Sequence, residues 1–320
     1  MARTPRKWTG ARSPSGLKRV RSSERRHEVL GPRRAAAKTL VRNAVKLDFP
    51  IVPAIRSVLA VCDEVVVNVG KSEDDTRDLV ASIADPRVRI VDSEWDFTKK
   101  NLMLSIETQR AMEACRGSWG IYIQADEVLH ERGAHMLKEK IAEWDADQRV
   151  EGLLVKYLHF YGGFDRIATS RRWYRREVRC IRLGKDIRPY QGAQGFRVGP
   201  NYRKIRARLT DAEMFHYGWA RPAKAIKQKL EISKTIYPWG QERLAKEQAR
   251  DYLEWIPLLR DFAGTHPAVA RDWIAARNHD PERVVGPAHF KPQHIRFYIS
   301  DLIERLTGAR VFEFRNYKVV

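Results

Sequence analysis

Apolar residues in this chain fall into short continuous runs that alternate with stripes at helical spacing. Residues 39–43 form a short run that reads as a strand, and Pro53 can open a helix carrying Ile55, Val58 and Leu59 inward. Residues 64–69 are a β-branched run and read as a second strand. A segment rich in helix-capping side chains, residues 70–76, precedes a helix with Leu79, Val80 and Ile83 on one face. A third strand at 88–91, a third helix at 102–115 and a fourth strand at 119–125 continue the pattern. Repeated strand and helix units predict an α/β fold, a mostly parallel, Rossmann-like sheet flanked by helices. Ligands bind such sheets outside the carboxyl ends of the strands. The loops at Asn43, 70–75, 92–96 and 124–127 should therefore converge on one crevice.

Beyond residue 131 the pattern is less regular. A helix at 136–144 leads to a strand-forming run at 152–160, then to an Arg-rich, Gly-punctuated stretch ending near Trp219. Residues 222–262 read as helical with a Tyr-Pro-Trp-Gly interruption at 237–240, and a last helix is expected at 295–306. The expected division is a tail at 1–38, an α/β body at 39–220 and a mainly helical extension at 221–320.

Charge changes the picture at one end. Of a formal +20, half lies in residues 1–38, where 12 Lys/Arg stand against Glu24 and Glu28. Such a segment has too little apolar surface to offset chain entropy and is expected to be disordered. Its charge would attract anionic lipid or nucleic acid, which motivates a rival reading as a basic nucleic-acid-binding protein. No recognised nucleic-acid module accompanies it, and no nucleic-acid partner is expected. No apolar run approaches the roughly 20 residues that span a bilayer. Cys62, Cys115 and Cys180 lie far apart, which fits a reducing cytoplasm better than a disulfide framework or a zinc module.

The chemistry concentrates where residues 121–127, Ile-Tyr-Ile-Gln-Ala-Asp-Glu, run an apolar strand into two adjacent carboxylates, Asp126 and Glu127. Carboxylates there can hold a divalent cation that bridges two phosphates, or can simply cap the next helix. Further stretches join them. Val41-Arg42-Asn43 looks like the opening strand of the family-2-like glycosyltransferases of GT-A fold, and residues 63–76 are similar to that family's second strand and S-x-D-x-T turn, matched by Ser72, Asp74 and Thr76. Gln124-Ala125-Asp126-Glu127 occupies the place of the D-x-D motif, and Phe215-His216-Tyr217-Gly218-Trp219 looks like a late His that returns to the metal or the donor phosphates. The resemblance covers residues 39–220.

The resemblance implies a GT-A fold with a nucleotide-sugar half at 39–131 and an acceptor half at 132–220. It implies transfer of a sugar from a nucleoside diphosphate to an acceptor hydroxyl, usually with inversion, in cell-surface glycan or glycolipid synthesis. Donor-binding residues would be Arg42, Asn43, Asn68, Ser72, Asp74, Gln124 and Asp126, and Mn2+ or Mg2+ would sit on Asp126, Glu127 and His216. Two positions depart from the family: Gln124 replaces the first Asp of D-x-D, and Val69, beside Asn68, replaces the Asp before the turn. An amide hydrogen-bonds but adds no charge, so metal affinity would rest on Asp126, Glu127, the diphosphate and His216.

A carboxylate must also take the acceptor's proton. Asp165, Glu177, Asp186, Asp211 and Glu213 are candidates. Glu177 is favoured because it lies among Arg175, Arg176 and Arg179 in a segment expected to face the cleft, although that environment should lower its pKa. Nine basic residues at 166–188, interleaved with Trp173 and Tyr174, suit the donor diphosphate or an anionic glycan or glycolipid acceptor. The same residues could form a solvated face, and His216 could be a core residue. The expected setting is the cytoplasm, with peripheral contact to the anionic inner face of a membrane. A nucleotidyltransferase of related fold is the nearest enzymatic alternative; it would carry a Gly-rich loop near the first strand, and none follows Thr39.

Overall fold

The computed structural model describes residues 35–192, 195–236, 254–277, 285, 288–311 and 313–320. Most of the basic tail, up to residue 34, lies outside the described residues, as does the 237–240 interruption. Strands β1 (Ala35–Val41), β2 (Glu64–Gly70), β3 (Val88–Ser93) and β4 (Trp119–Tyr122) alternate with helices α1 (Ile51–Leu59), α2 (Thr76–Ala81) and α3 (Met103–Glu113). All pairings among these strands are parallel, in the order β3-β2-β1-β4.

The two-residue period of each strand builds the layers. Ala37 and Val41 with Val65, Val67 and Val69 face one side, against Ile51, Ile55 and Val58 of α1 and Leu137 and Ile141 of α4 (Glu131–Trp144). Leu40 and Tyr122 face the other side, where Leu104 and Met112 of α3 pack. Each fully buried Val or Ile contributes about 1.5–3 kcal/mol, so both layers are strongly specified.

Three boundaries differ from expectation. β1 starts at Ala35 rather than 39, because three successive alanines are small enough to lie buried between β2 and β4; residues 35–38 belong to the sheet and not to the tail. β4 stops at Tyr122 rather than 125, and the chain turns at Ala125 and Asp126 before Glu127 opens β5 (Glu127–Leu129). Residues 259–261, expected to be helical, form a strand along the edge described next.

The second half adds β6 (Gly152–Tyr161), β7 (Arg166–Ala168), β8 (Arg176–Arg182), β9 (Ile187–Tyr190), β10 (Gly195–Val198) and β11 (Arg203–Trp219). β8 joins the halves by running antiparallel to both β4 and β6. The 17-residue β11 is parallel to β6 and antiparallel to β5, which sets His216 opposite Glu127. Helix α5 (Ala223–Ile236), β12 (Leu259–Asp261), α6 (Arg271–Ala275), α7 (Ile295–Thr307) and β13 (Tyr317–Val319) follow. β12 pairs with β7, and β13 with β11, so the C-terminal segment supplies strands as well as helices. No helix among the described residues is long and apolar enough to cross a membrane.

One buried carboxylate ties this second half together. Glu151, 3% exposed, accepts hydrogen bonds from the Arg206 backbone N–H at 2.9 Å and from the Arg203 side chain at 2.8 and 2.9 Å. Burial acts to raise its pKa, but the arginine and backbone bonds outweigh it and pull the value from 4.5 to about 2. The folded chain therefore binds this proton more weakly than the unfolded chain does. The resulting stability is complete above pH 4.5 and is lost as the pH falls toward 2. Glu151→Gln should lower the unfolding free energy by about 1–3 kcal/mol at neutral pH, with the difference from wild type closing across that acid window in urea titrations.

Candidate active site

A cavity of about 470 Å³ opens beyond the carboxyl ends of β1 and β4. Its wall includes Arg42, Trp95, Phe97, Gln124, Asp126, Arg171, Arg172, Glu177, Lys229, Glu313 and Asn316. It thus draws on both halves of the sheet and on the C-terminal segment.

The first loop and the S-x-D-x-T turn are fastened to each other. Ser72 Oγ accepts from the Asn43 N–H at 3.0 Å, Thr76 Oγ1 from the Ala44 N–H at 2.6 Å, and Asp74 Oδ2 from the Lys46 N–H at 2.7 Å. Asn43 Oδ1 accepts in return from the Glu73 N–H at 2.9 Å. Asn43 sits in the left-handed region at φ 55°, which Asn tolerates better than most residues. Ser72 and Asp74 line a separate pocket with Arg77, Asp92 and Glu94. Arg42 does reach the main cavity, with its guanidinium bonded to Lys71 O and Glu73 and set 5.1 Å from the Phe97 ring. Asn68 lies beneath α3, donating to Glu107 O and Oε2 at 2.9 Å and accepting from Ser93, away from the cavity.

Asp126 and Glu127 are neighbours in sequence with different surroundings. Glu127 is fully buried and closed: Arg179 donates to it at 2.9 and 3.2 Å, the Tyr157 hydroxyl at 2.7 Å and the Gln124 N–H at 3.0 Å. Asp126 faces the cavity and accepts from Lys229 Nζ at 2.7 Å. Burial would raise the Asp126 pKa, but Lys229, with Arg221 behind it, holds the carboxyl well below the usual carboxylate range.

His216 stands behind Asp126, with Nε2 3.8 Å from Oδ2. Its Nδ1 is 3.1 Å from Nδ1 of His159, whose Nε2 is 2.8 Å from Tyr174 O. The carbonyl can only accept, so His159 carries its proton on Nε2 and accepts at Nδ1 from His216. His216 then presents an unprotonated Nε2 toward Asp126. Burial lowers the pKa of both rings and keeps them neutral. Gly218 makes room for this arrangement, since a Cβ there would stand 2.5 Å from His216 Nε2 and 2.8 Å from Asp126 Oδ2.

Glu177 lines the same cavity from β8, 5% exposed. Its oxygens accept from the Val178 N–H at 2.9 Å and from Asn316 Nδ2 at 3.1 Å. Its pKa is raised, not lowered as the sequence suggested: burial outweighs the opposing pull of Arg179 and Arg197. Two of the three arginine neighbours are committed elsewhere, Arg179 to Glu127 at 2.9 Å and Arg175 to Glu304 at 2.7 Å. Asp165, Asp186 and Asp211 are exposed, and neither they nor Glu213 line the cavity.

Sequence reasoning missed Lys229, Glu313 and Asn316. Lys229 lies beside the buried Ile226 and Leu230 on α5, so a lysine bordering the apolar stripe of an amphipathic helix was the available signal.

No known protein-family profile matches the chain, and no curated protein does. Among solved structures, part of the chain is similar to residues 1–349 of TarS from S. aureus in complex with UDP, at 19% identity and a TM-score of 0.33 over 43% of this chain and 39% of that one. TarS 1–349 alone gives 13% identity and 0.40 over 68% and 70%. Glucosyl-3-phosphoglycerate synthase from Mycobacterium tuberculosis, in complex with Mn2+, UDP and phosphoglyceric acid, gives 18% and 0.28 over 40% and 43%. The chain thus spans less than half of the first and third of these.

Proposed function

We propose that the protein is a glycosyltransferase that moves a sugar from a nucleotide-sugar to an acceptor hydroxyl. The carrying observation is one cavity, at the carboxyl ends of parallel strands, that holds an ionised carboxylate paired with a lysine and a second carboxyl with a raised pKa. Groups with such divergent acidities can divide the work of holding a leaving group and accepting a proton. Trp95 and Phe97 offer faces for a nucleobase, and Arg42 and Lys229 offer charge for a diphosphate. Arg171 and Arg172, near Glu177, suit an acceptor glycan or glycolipid bearing phosphate or carboxylate.

In this reading Glu177 takes the proton of the acceptor hydroxyl as its oxygen bonds to the anomeric carbon. The bond from that carbon to the β-phosphate oxygen breaks, its electron pair stays with the nucleoside diphosphate, and configuration inverts in the single displacement. Mn2+ or Mg2+, which the family resemblance brought into view, would supply charge neutralisation at the diphosphate. The residues present do not fit such an ion. Both Glu127 oxygens are taken, an ammonium sits on Asp126, and no group of three or more His, Cys, Asp or Glu among the described residues could hold a metal. No step is therefore routed through a metal.

A thermal-shift screen of UDP-, GDP-, dTDP- and CMP-sugars should find one that stabilises the full chain, by about 2.7 kcal/mol at a hundred times its Kd. Asp126→Ala should lose most of that response. Released nucleoside diphosphate is the expected product; pyrophosphate would indicate nucleotidyl transfer. A wild type stabilised by no nucleotide-sugar, or an Asp126→Ala variant that responds in full, would refute the assignment.

A further inference from the structure

We infer that the Lys229 ammonium takes the place of a divalent cation at the donor diphosphate, with Asp126 as the residue that positions it. The inference rests on the nucleotide-sugar reading and adds how the leaving group is held. Asp126 opens on the cavity as a buried carboxylate, which calls for a cation beside it. The cation present is part of the chain. Lys229 reaches in from α5 with Nζ 2.7 Å from Asp126 Oδ2, and its side chain keeps 32% exposure on the cavity side. An ammonium has three hydrogens, and Asp126 uses one; the others remain for phosphate oxygens.

The surrounding charge has the sign a diphosphate needs. Arg221, 1% exposed, packs 4.4 Å from the Phe49 ring with its guanidinium bonded to Leu47 O and Gly218 O, close enough to act on Asp126 electrostatically. Glu127, the carboxylate that might have balanced it, is neutralised by Arg179. Around Asp126 two cations therefore face one carboxylate. A dianionic phosphate entering that field is attracted, whereas a divalent cation would meet an ammonium already on the Asp126 carboxylate and a guanidinium behind it. Gln124, in place of a second acid, removes one more negative charge from the same rim. Lysine suits this role as a compact point charge that needs no fixed coordination geometry.

The test is titration of the full chain with UDP and with GDP, in EDTA and in Mn2+, for wild type, Lys229→Met and Lys229→Arg, with the unliganded melting temperature as a check on folding. The expected result is nucleoside diphosphate binding that EDTA leaves unchanged, that Lys229→Met weakens about 10- to 100-fold with or without Mn2+, and that Lys229→Arg largely retains. Binding that appears only with Mn2+ or Mg2+, or wild-type affinity in a folded Lys229→Met protein, would overturn it. The two readings fail separately. Lys229-dependent, EDTA-insensitive binding without release of nucleoside diphosphate from any nucleotide-sugar would sink the transfer reading and leave this inference standing. Absence of nucleotide binding under every condition would remove both.

Discussion

Glu177→Gln should lower turnover about 100- to 10,000-fold while leaving nucleotide-sugar binding near wild type, the range general-base removal usually spans. Glutamine keeps the volume and one accepted hydrogen bond, from Val178 N–H or Asn316, so the wall of the cavity should persist. The pH profile separates a base from a structural role. Burial raises the Glu177 pKa above 4.5, and a base works only when deprotonated, so wild-type turnover should fall as the pH drops through that raised value. The glutamine variant should lack this acid limb. Unaltered turnover would move the base elsewhere, and an equal loss of donor binding would make Glu177 a wall residue only.

Arg179→Met should be strongly destabilising, at about 3–5 kcal/mol, because it strands a buried carboxylate. Arg179 is 1% exposed between the Tyr122 and Tyr157 rings, at 5.3 and 5.2 Å, and its partner Glu127 is fully buried. Methionine preserves much of the packing, so the loss reports on charge. Adding Glu127→Gln should recover a large part of it, since the double variant leaves no unpaired ion, and urea denaturation of all four proteins closes the cycle. A single variant as stable as wild type would mean that Glu127 finds water or another partner.

These two glutamates show how far the sequence could be read. The parallel half was legible because residues 64–69 form a short β-branched run and helical stripes fill the intervals between such runs. The S-x-D-x-T turn was legible as a motif, but its side chains bond to a loop some 30 positions earlier, a pairing that local spacing does not encode. Adjacent Asp126 and Glu127 looked alike as letters. The chain turns at Ala125 and Asp126 before Glu127 opens β5, so one carboxylate reaches the cavity and the other the interior, and only the fold says which partner each meets. Glu177 was singled out from its position in an arginine-rich segment, and it lines the cavity. The direction of its pKa was not, because the guanidinium of Arg179 is bound to Glu127 and burial was invisible. Lys229 lacked any motif at all.

Asn316 has a consequence for how the protein assembles. It bonds Glu177 across 139 residues and Arg197 across 119, just before β13 joins β11. Contacts of such separation carry a large loop-closure entropy and form late, after the local strand and helix units of the first half have docked. A refolding chain can therefore own an intact β1–β4 sheet, with its fastened loops, while the carboxyl on β8 still lacks its neighbour. Partly folded molecules would look native by their parallel core and be catalytically silent.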